Sequence, residues 1–348
     1  AIKAQPLMSP RHLRVLITFL SLAMIGCQQQ AQPTDKKSYM APPPKPPPAV
    51  PPVTPTPIDP ALQAAARQQL DESLRSSDEF VRAHAIEMIK QVNAPDAGEK
   101  IVAALGDSSP LVRKAAAFAA GELRVQAAMD RLDLSLSTAK LPEQMAIIFA
   151  LHRLGDTSRS HIFEQTATDP NEHVRGDTAF ILGLLGERSA LGILDQMLRS
   201  DRSAPVRLQA AEAMWKLGDE RGENELINAT VSMYPDDKII ALLALAQPKD
   251  TRVLGHVEGL LTDDYPEVAL MAARATGMLG SDRGYGVALN GAKSVDPRQR
   301  VLAAMALGAI GRADSQPVLA KLLKDDDADT RLAAAGALLQ LGTRAQNK

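Results

Sequence analysis

From residue 61 onward, apolar and polar positions follow a pattern that repeats about every 31 residues. In its clearest copy, Val206 and Arg207 open an Ala- and Leu-rich stretch that closes on Leu217 and Gly218. Counted by its second residue, the reference position, the copy recurs at 82, 113, 144, 175, 207, 238, 269, 300 and 331. Only the step from 175 to 207 is 32 residues long. A fixed period of this size predicts a solenoid.

Each copy is predicted to contain two helices, A and then B, with helix B beginning at the reference pair and running about eleven residues. We write slot n for the position n residues after the reference. Slots 4, 7 and 10 are mostly apolar and fall on one side of a helix. Slot 11 holds Gly or Asn, which close helices in the left-handed conformation. These residues are Asn93, Gly155, Gly186, Gly218, Gly280, Gly311 and Gly342.

The predicted fold class is therefore all-α: a right-handed α-α superhelix, or solenoid, of about nine helix pairs over residues 61–348. Two copies depart from the pattern. The third has Glu143-Gln144 at the reference pair, and the sixth has Asp237-Lys238 and then Pro248, which should end its helix early. No further copy follows Leu341, so part of the last apolar stripe is expected to be exposed or to meet a partner.

The amino-acid composition limits the possible cores and the possible binding partners. Only 3% of the residues are aromatic, so Ala and Leu must build the core, and a net charge of −2 gives no positive surface for nucleic acid. The single cysteine, Cys27, excludes an intramolecular disulfide.

Residues 1–26 are predicted to be an export signal, because two arginines precede an apolar run at 15–25 that is shorter than the roughly 20 residues that span a bilayer. Met24-Ile25-Gly26-Cys27 resembles the bacterial lipobox. The resemblance implies lipidation at Cys27, and Gln28 after it favours the periplasmic side of the outer membrane. An ordinary cleaved signal with an incidental cysteine is the alternative.

Residues 27–60 are predicted to be a disordered, Pro-rich linker behind the lipid-anchor cysteine. Residues 28–60 contain 12 of the 24 prolines, which favours polyproline II. Fully extended, this stretch reaches on the order of 100 Å. It is interpreted as a spacer between membrane and domain rather than as a ligand for an aromatic groove.

The pattern Asp…Val-Arg…Ala-Ala…Leu-Gly resembles HEAT repeats of the short bacterial type found in phycobilisome-lyase-like proteins. The resemblance implies that helices A lie on the convex side and helices B on the concave side. It also implies that the repeated arginines pair with acids in neighbouring turns. The arginines are Arg82, Arg113, Arg175, Arg207, Arg300 and Arg331, and the acids are Asp107, Asp169, Asp201, Asp263 and Asp325.

The sequence shows no catalytic constellation. The six histidines do not fall at metal-ligand spacing, and we find no Gly-rich phosphate loop or Ser/His/Asp set. HEAT-repeat deoxyhypusine hydroxylases hold iron through His-Glu dipeptides, which this sequence lacks. The lyase-like group attaches bilins in the cytoplasm, in conflict with an export signal. We therefore predict no enzyme activity, cofactor or metal.

A column of apolar side chains gives the best indication of a binding site. Slot 5, opposite the predicted buried stripe, holds three of the six phenylalanines, and the same side of helix B continues with Leu and Met. If exposed, this strip would bind a partner on the concave face; alternatively, neighbouring helices cover it. Its residues are Phe118, Phe149, Phe180, Leu243, Met271, Met278 and Met305.

Slot 8 is expected to bring helix backbones close together, because it holds Gly121, Gly183, Gly277 and Gly308. Trp215 shares this slot and is either an exposed anchor or fills a wider gap.

The predicted function is a membrane-anchored, extracytoplasmic scaffold that binds an unknown protein or peptide without catalysis. One alternative is a lyase-like or cofactor-handling protein. Another is a structural envelope lipoprotein that self-associates through its carboxyl-terminal repeat.

Overall fold

The computed structural model describes residues 58–346, with side chains up to residue 342, and within this range the chain forms 18 α-helices and no strands. The outer helices, A, are α1 (Pro60–Ser73), α3 (Ala97–Ala104), α5 (Met129–Leu136), α7 (Ile162–Thr166), α9 (Leu191–Ser200), α11 (Glu220–Ala229), α13 (Leu254–Glu258), α15 (Tyr285–Gly291) and α17 (Gln316–Leu322). The inner helices, B, are α2 (Glu79–Val92), α4 (Pro110–Glu122), α6 (Leu141–Leu154), α8 (Glu172–Leu185), α10 (Ala204–Lys216), α12 (Pro235–Ala246), α14 (Pro266–Met278), α16 (Pro297–Ile310) and α18 (Ala328–Gln346). The predicted all-α superhelix of about nine pairs is confirmed. The signal, Cys27 and the linker up to residue 57 lie outside the described residues.

The inner helices begin three residues before the predicted reference position. Slot −4 supplies the N-cap: the side chain of Asp78, for example, accepts the backbone N–H of Phe80 at 2.8 Å. At the other end, slot 11 is left-handed in the first eight copies, including Arg124 (φ 52°) and Lys249 (φ 57°), where no glycine stands. The prediction that helix B of the last copy ends at Gly342 is wrong, because α18 continues to Gln346.

The nine inner helices pack in cyclic order, and the last closes on the first to make a ring. Helix α18 lies against α1 and α2, where Gln340 Nε2 donates to Gln91 Oε1 at 3.3 Å and His84 Nδ1 lies 3.1 Å from Asp329 Oδ1. Because α18 packs against the first helix pair and Leu338 and Leu341 are buried, the predicted bare end of the last copy is wrong.

The inner helices line the inside of the ring and meet each other there. Lys114 Nζ contacts Asp177 Oδ2 at 2.6 Å, two copies further on. A contact that skips a copy can only be made across the interior, so side chains of inner helices two copies apart meet there. Slots 4 and 7 are buried in all nine copies, as predicted. The prediction holds less well for slot 10, which is only partly buried at Leu123, Leu154 and Leu185 and exposed at Pro248.

Slot 8 sets the distance between inner helices. A Cβ added at Gly277 would lie 2.5 Å from the backbone nitrogen of Ile310, and one at Gly121 would lie 2.8 Å from the Cα of Ala150. Such close approach confirms the predicted role of the glycine slot. Where the slot is larger, as at Trp215, neighbouring inner helices pack less closely. Trp215 is buried and therefore fills a wider gap.

Candidate interaction surfaces

The predicted apolar strip lies mostly inside the ring. Phe118 stacks against Phe149 and Phe180 with ring centroids 5.4 and 5.5 Å apart, and all three are buried, as are Leu243 and Met271. The prediction of an exposed strip is therefore wrong at these five positions, because closure of the ring turns the concave face into an interior. Met278 and Met305 are half-buried, and their binding role stays a prediction.

The arginine ladder is confirmed at three predicted pairs. Arg175 donates through Nε and Nη2 to both carboxylate oxygens of Asp201, at 2.6 and 2.8 Å. Arg82 binds Asp107 and Arg300 binds Asp325 in the same two-pronged way. The hydrogen bonds from Arg175 hold the pKa of Asp201 below its usual value despite partial burial. The ladder therefore joins consecutive turns along one edge of the ring.

The two divergent copies keep one ladder link each. Glu143 accepts hydrogen bonds from Arg113 at 2.6 and 2.8 Å, and Lys238 pairs with Asp263 at 2.7 Å. Arg207 and Arg331 contact only backbone carbonyls of their own preceding turns among the described residues. Their predicted pairing with an acid is wrong, because the position that would face Arg207 is Ser232.

The ring interior contains a buried charge cluster. Lys90 Nζ lies 2.7 Å from Glu122 and 2.9 Å from Glu87. Burial alone would lower the pKa of Lys90, but the two carboxylates raise it. Burial raises the pKa of Glu122 to about 7, against the opposing attraction of Lys90. The single ammonium of Lys90 thus pairs with the carboxylates of both Glu87 and Glu122, and protonation near neutral pH neutralises part of their negative charge.

Arg274 is a buried cation of a different kind. It occupies slot 5 of the seventh copy and is 4% exposed. Its Nη1 lies 3.3 Å from Met305 Sδ, and burial lowers its pKa to about 10. No carboxylate among the described residues lies within ion-pair distance of its guanidinium.

Large apolar side chains are exposed on the edge of the ring where helices A turn into helices B. The turns of three consecutive copies present Val231 (83% exposed), Met233 (79%), Tyr234 (59%), Tyr265 (37%) and Val295 (97%). We call these five residues the tyrosine rim. Exposed apolar side chains in a row, rather than scattered singly, are typical of interaction sites, where Tyr and Met are enriched.

Two residues of the tyrosine rim stand at positions where other copies have a helix-capping side chain. Tyr234 and Tyr265 occupy slot −4, and α12 and α14 accordingly lack a side-chain cap. Asp78, Ser109 and Asn171 fill the same slot in other copies and cap their helices. An N-cap is worth about 1 kcal/mol, so the tyrosines at this slot give up stability for exposed aromatic surface.

Two of the three rim turns are also acidic. Asp236, Asp237 and Asp264 are at least partly exposed there, whereas Asp263 pairs with Lys238 and Glu267 is buried. Asp264 is exposed, and burial together with the neighbouring Asp237 raises the pKa of Asp236. A basic partner surface would complement this edge.

Sequence reasoning missed both the rim and Arg274. The rim could have been found from the cap slot, where Tyr replaces Asp, Ser or Asn in two successive copies. Arg274 shares slot 5 with the phenylalanines, and only the closed ring shows that this slot is interior. Between residues 58 and 346 no helix is long and apolar enough to cross a membrane, and no group of three His, Cys, Asp or Glu could hold a metal ion.

Several solved structures are similar to this chain. A chain of the complex of CpcE and CpcF of phycocyanin lyase from Nostoc sp. PCC7120 is similar at 19% identity and a TM-score of 0.43, over 65% of this chain and 92% of that chain. Human deoxyhypusine hydroxylase is similar at 17% identity and a TM-score of 0.36, over 82% and 98% of the two chains. Kap95p bound to RanGDP is similar at 13% identity and a TM-score of 0.36, over 78% of this chain and 44% of that one. No curated protein matched.

A family model described as HEAT repeats matches residues 65–152 and 286–347, which cover most of the first three copies and of the last two. The helix pairs continue at the same period through the residues between these segments, where Arg175–Asp201 and Lys238–Asp263 are the ladder links. We conclude that residues 65–152 and 286–347 are HEAT repeats.

Proposed function

We propose that the protein is a lipid-anchored scaffold of the bacterial cell envelope that binds a protein partner through the tyrosine rim and performs no chemistry itself. The observation that carries the proposal is the row of exposed Val, Met and Tyr side chains on one edge of an otherwise well-packed ring. The partly exposed Asp236 and Asp237 and the exposed Asp264 in two of its turns favour a partner segment in which basic residues flank apolar ones, because complementary charge steers association.

The anchor is a separate part of the proposal. The lipobox-like sequence ending at Cys27 and the Pro-rich spacer behind it support attachment to the periplasmic face of the outer membrane. Changing Cys27→Ser should move the protein from the membrane fraction to the soluble fraction. Retention in the membrane would instead make the uncleaved apolar segment at 15–25 the anchor.

The rim is tested by crosslinked capture from envelope membranes with a Tyr234→Asn/Tyr265→Asn variant. Asn restores a helix cap without changing charge, so the variant should melt at the same temperature as wild type or higher. We expect it to lose a partner that wild type captures, and we expect capture by wild type to weaken as salt rises.

The matched control is Leu134→Ser, which removes an apolar side chain that is 78% exposed on the outer helix α5. It should capture the partner as wild type does. Equal capture by wild type, the rim variant and the control would overturn the rim as the binding site.

A further inference from the structure

Arg274 is the exception among the buried basic residues. Between residues 58 and 342 the buried bases are Lys90, Lys114 and Arg274. Lys90 contacts Glu122 at 2.7 Å and Lys114 contacts Asp177 at 2.6 Å. Arg274, which is buried to a similar degree, has only the sulfur of Met305 within reach of Nη1. Thioether sulfur is a weak acceptor.

An uncompensated buried guanidinium is costly. Burying a charge without a partner is unfavourable, and nothing about slot 5 demands a cation, because Leu243 and Met305 fill it in the two flanking copies. An apolar residue would fit the fold better. The side chain is therefore better suited to a ligand than to the stability of the ring.

Two methionines lie close to Arg274 in the fold. Met278 lies one turn further along α14, and Met305, whose Sδ the guanidinium contacts, lies on α16; both are half-buried, so solvent reaches both side chains. Leu243 on α12 and Met271 on α14 are fully buried. Methionine adapts its shape to apolar ligands.

We infer that Arg274 binds the carboxylate of an amphiphilic monoanion whose apolar chain lies against Met278 and Met305. One guanidinium matches one carboxylate in two-pronged geometry. A doubly charged phosphate would need a second cation, and no neighbouring charge acts on Arg274. This site lies inside the ring, away from the tyrosine rim, so that either assignment can fail without the other.

The test is calorimetric titration of the full-length chain with decanoate, below its micelle concentration, beside the Arg274→Met variant. Wild type should bind saturably and melt at a higher temperature with decanoate. The affinity of Arg274→Met for decanoate should be lower by a factor of about ten or more, because the variant loses a charged hydrogen-bonded pair. The variant should fold at least as stably as wild type without ligand, because it removes an isolated buried charge.

Three controls sharpen the result. Arg283→Met, at a side chain that is 62% exposed and paired with Glu258, should bind decanoate as wild type does. Acetate and 1-decanol, which each carry only one half of the ligand chemistry, should bind to wild type far more weakly than decanoate. Equal binding of decanoate by Arg274→Met, or none by wild type, would overturn the proposal, and acetate binding as tightly as decanoate would overturn the apolar contact.

Discussion

Arg175 and Arg207 occupy the same slot of neighbouring copies and differ in one contact. Each donates through Nη1 to two carbonyls of its preceding turn: Arg175 at 2.7 and 3.2 Å, Arg207 at 2.9 and 3.4 Å. Only Arg175 also binds a carboxylate, that of Asp201, whose side chain is 6% exposed. The pair therefore isolates the value of one ladder link.

We expect Arg175→Met to lower the free energy of unfolding by about 2 kcal/mol more than Arg207→Met, because it leaves the Asp201 carboxylate without its cation. Chemical denaturation of both variants at neutral pH measures the difference. The difference should shrink in acid, because the pKa of Asp201 is lowered in the folded state: its contribution is present above the ordinary value of 3.8 and lost as pH falls through the lower folded value. Equal losses would contradict a stabilising ladder.

Glu122 should give a pH dependence of the opposite sign. Its pKa rises from 4.5 to about 7 on folding, so between these values the folded state holds more protons than the unfolded one. Stability therefore falls as pH rises through this window. The charged groups that act on Glu122 are Lys90, Glu87 and Lys216.

The measurement is the free energy of unfolding from pH 5 to pH 7 for wild type and Glu122→Gln. The ladder aspartates are ionised in both states over this range. The variant should therefore lose part of the decline seen in wild type. Parallel curves for the two proteins would show that Glu122 titrates normally.

At the scale of single residues, the sequence predicts the features that recur at the same slot in several copies. The ladder pairs follow from Arg and Asp at fixed slots, and most left-handed helix ends follow from glycine. Arg124 and Lys249 adopt the same left-handed conformation although it costs a side chain such as theirs about 1 kcal/mol or more. The turn between helices, rather than the residue, imposes the geometry there.

Among the helices, the glycines of slot 8 permit the closest contacts. Gly277→Ala would place a Cβ 2.5 Å from the Ile310 nitrogen and 2.7 Å from the Ala309 carbonyl carbon. Both are backbone atoms, so the overlap could be relieved only if one helix moved away from the other. We expect a loss of about 1–3 kcal/mol in stability. Gly176→Ala, also in an inner helix but with nothing within 4 Å, should stabilise by about 0.5–1 kcal/mol. Thermal melts compare the two, and a stable Gly277→Ala protein would show that α14 and α16 can separate freely.

The helices themselves were predictable because each carries its own apolar stripe. The burial of slot 5 was not, because one copy alone looks amphipathic, with slot 5 on its open side. Only when consecutive copies curve around a common interior do Phe118 and Phe180, two copies apart, meet each other. The information for that contact lies in the slight rotation between successive copies, which no single copy displays.

For the whole molecule, the seam between α18 and the first helix pair is decisive. Replacing the buried Leu338 and Leu341 with Asp should separate α18 from α1 and α2 while the ladder holds the other copies together. We expect an increased radius of gyration by small-angle scattering, with most helicity retained. Leu134→Asp, on an exposed outer position, is the control. An unchanged radius would contradict a closed ring in solution.

Closure also bears on how such a protein can change over generations. An open array tolerates duplication or loss of one 31-residue unit, because each unit needs only its neighbours. Here, deleting one central copy would leave a plausible junction at the cut but draw α18 away from α1 and α2, on the far side of the molecule. Individual copies can therefore diverge in sequence, as the third and sixth have done, but the number of copies cannot change without opening the ring.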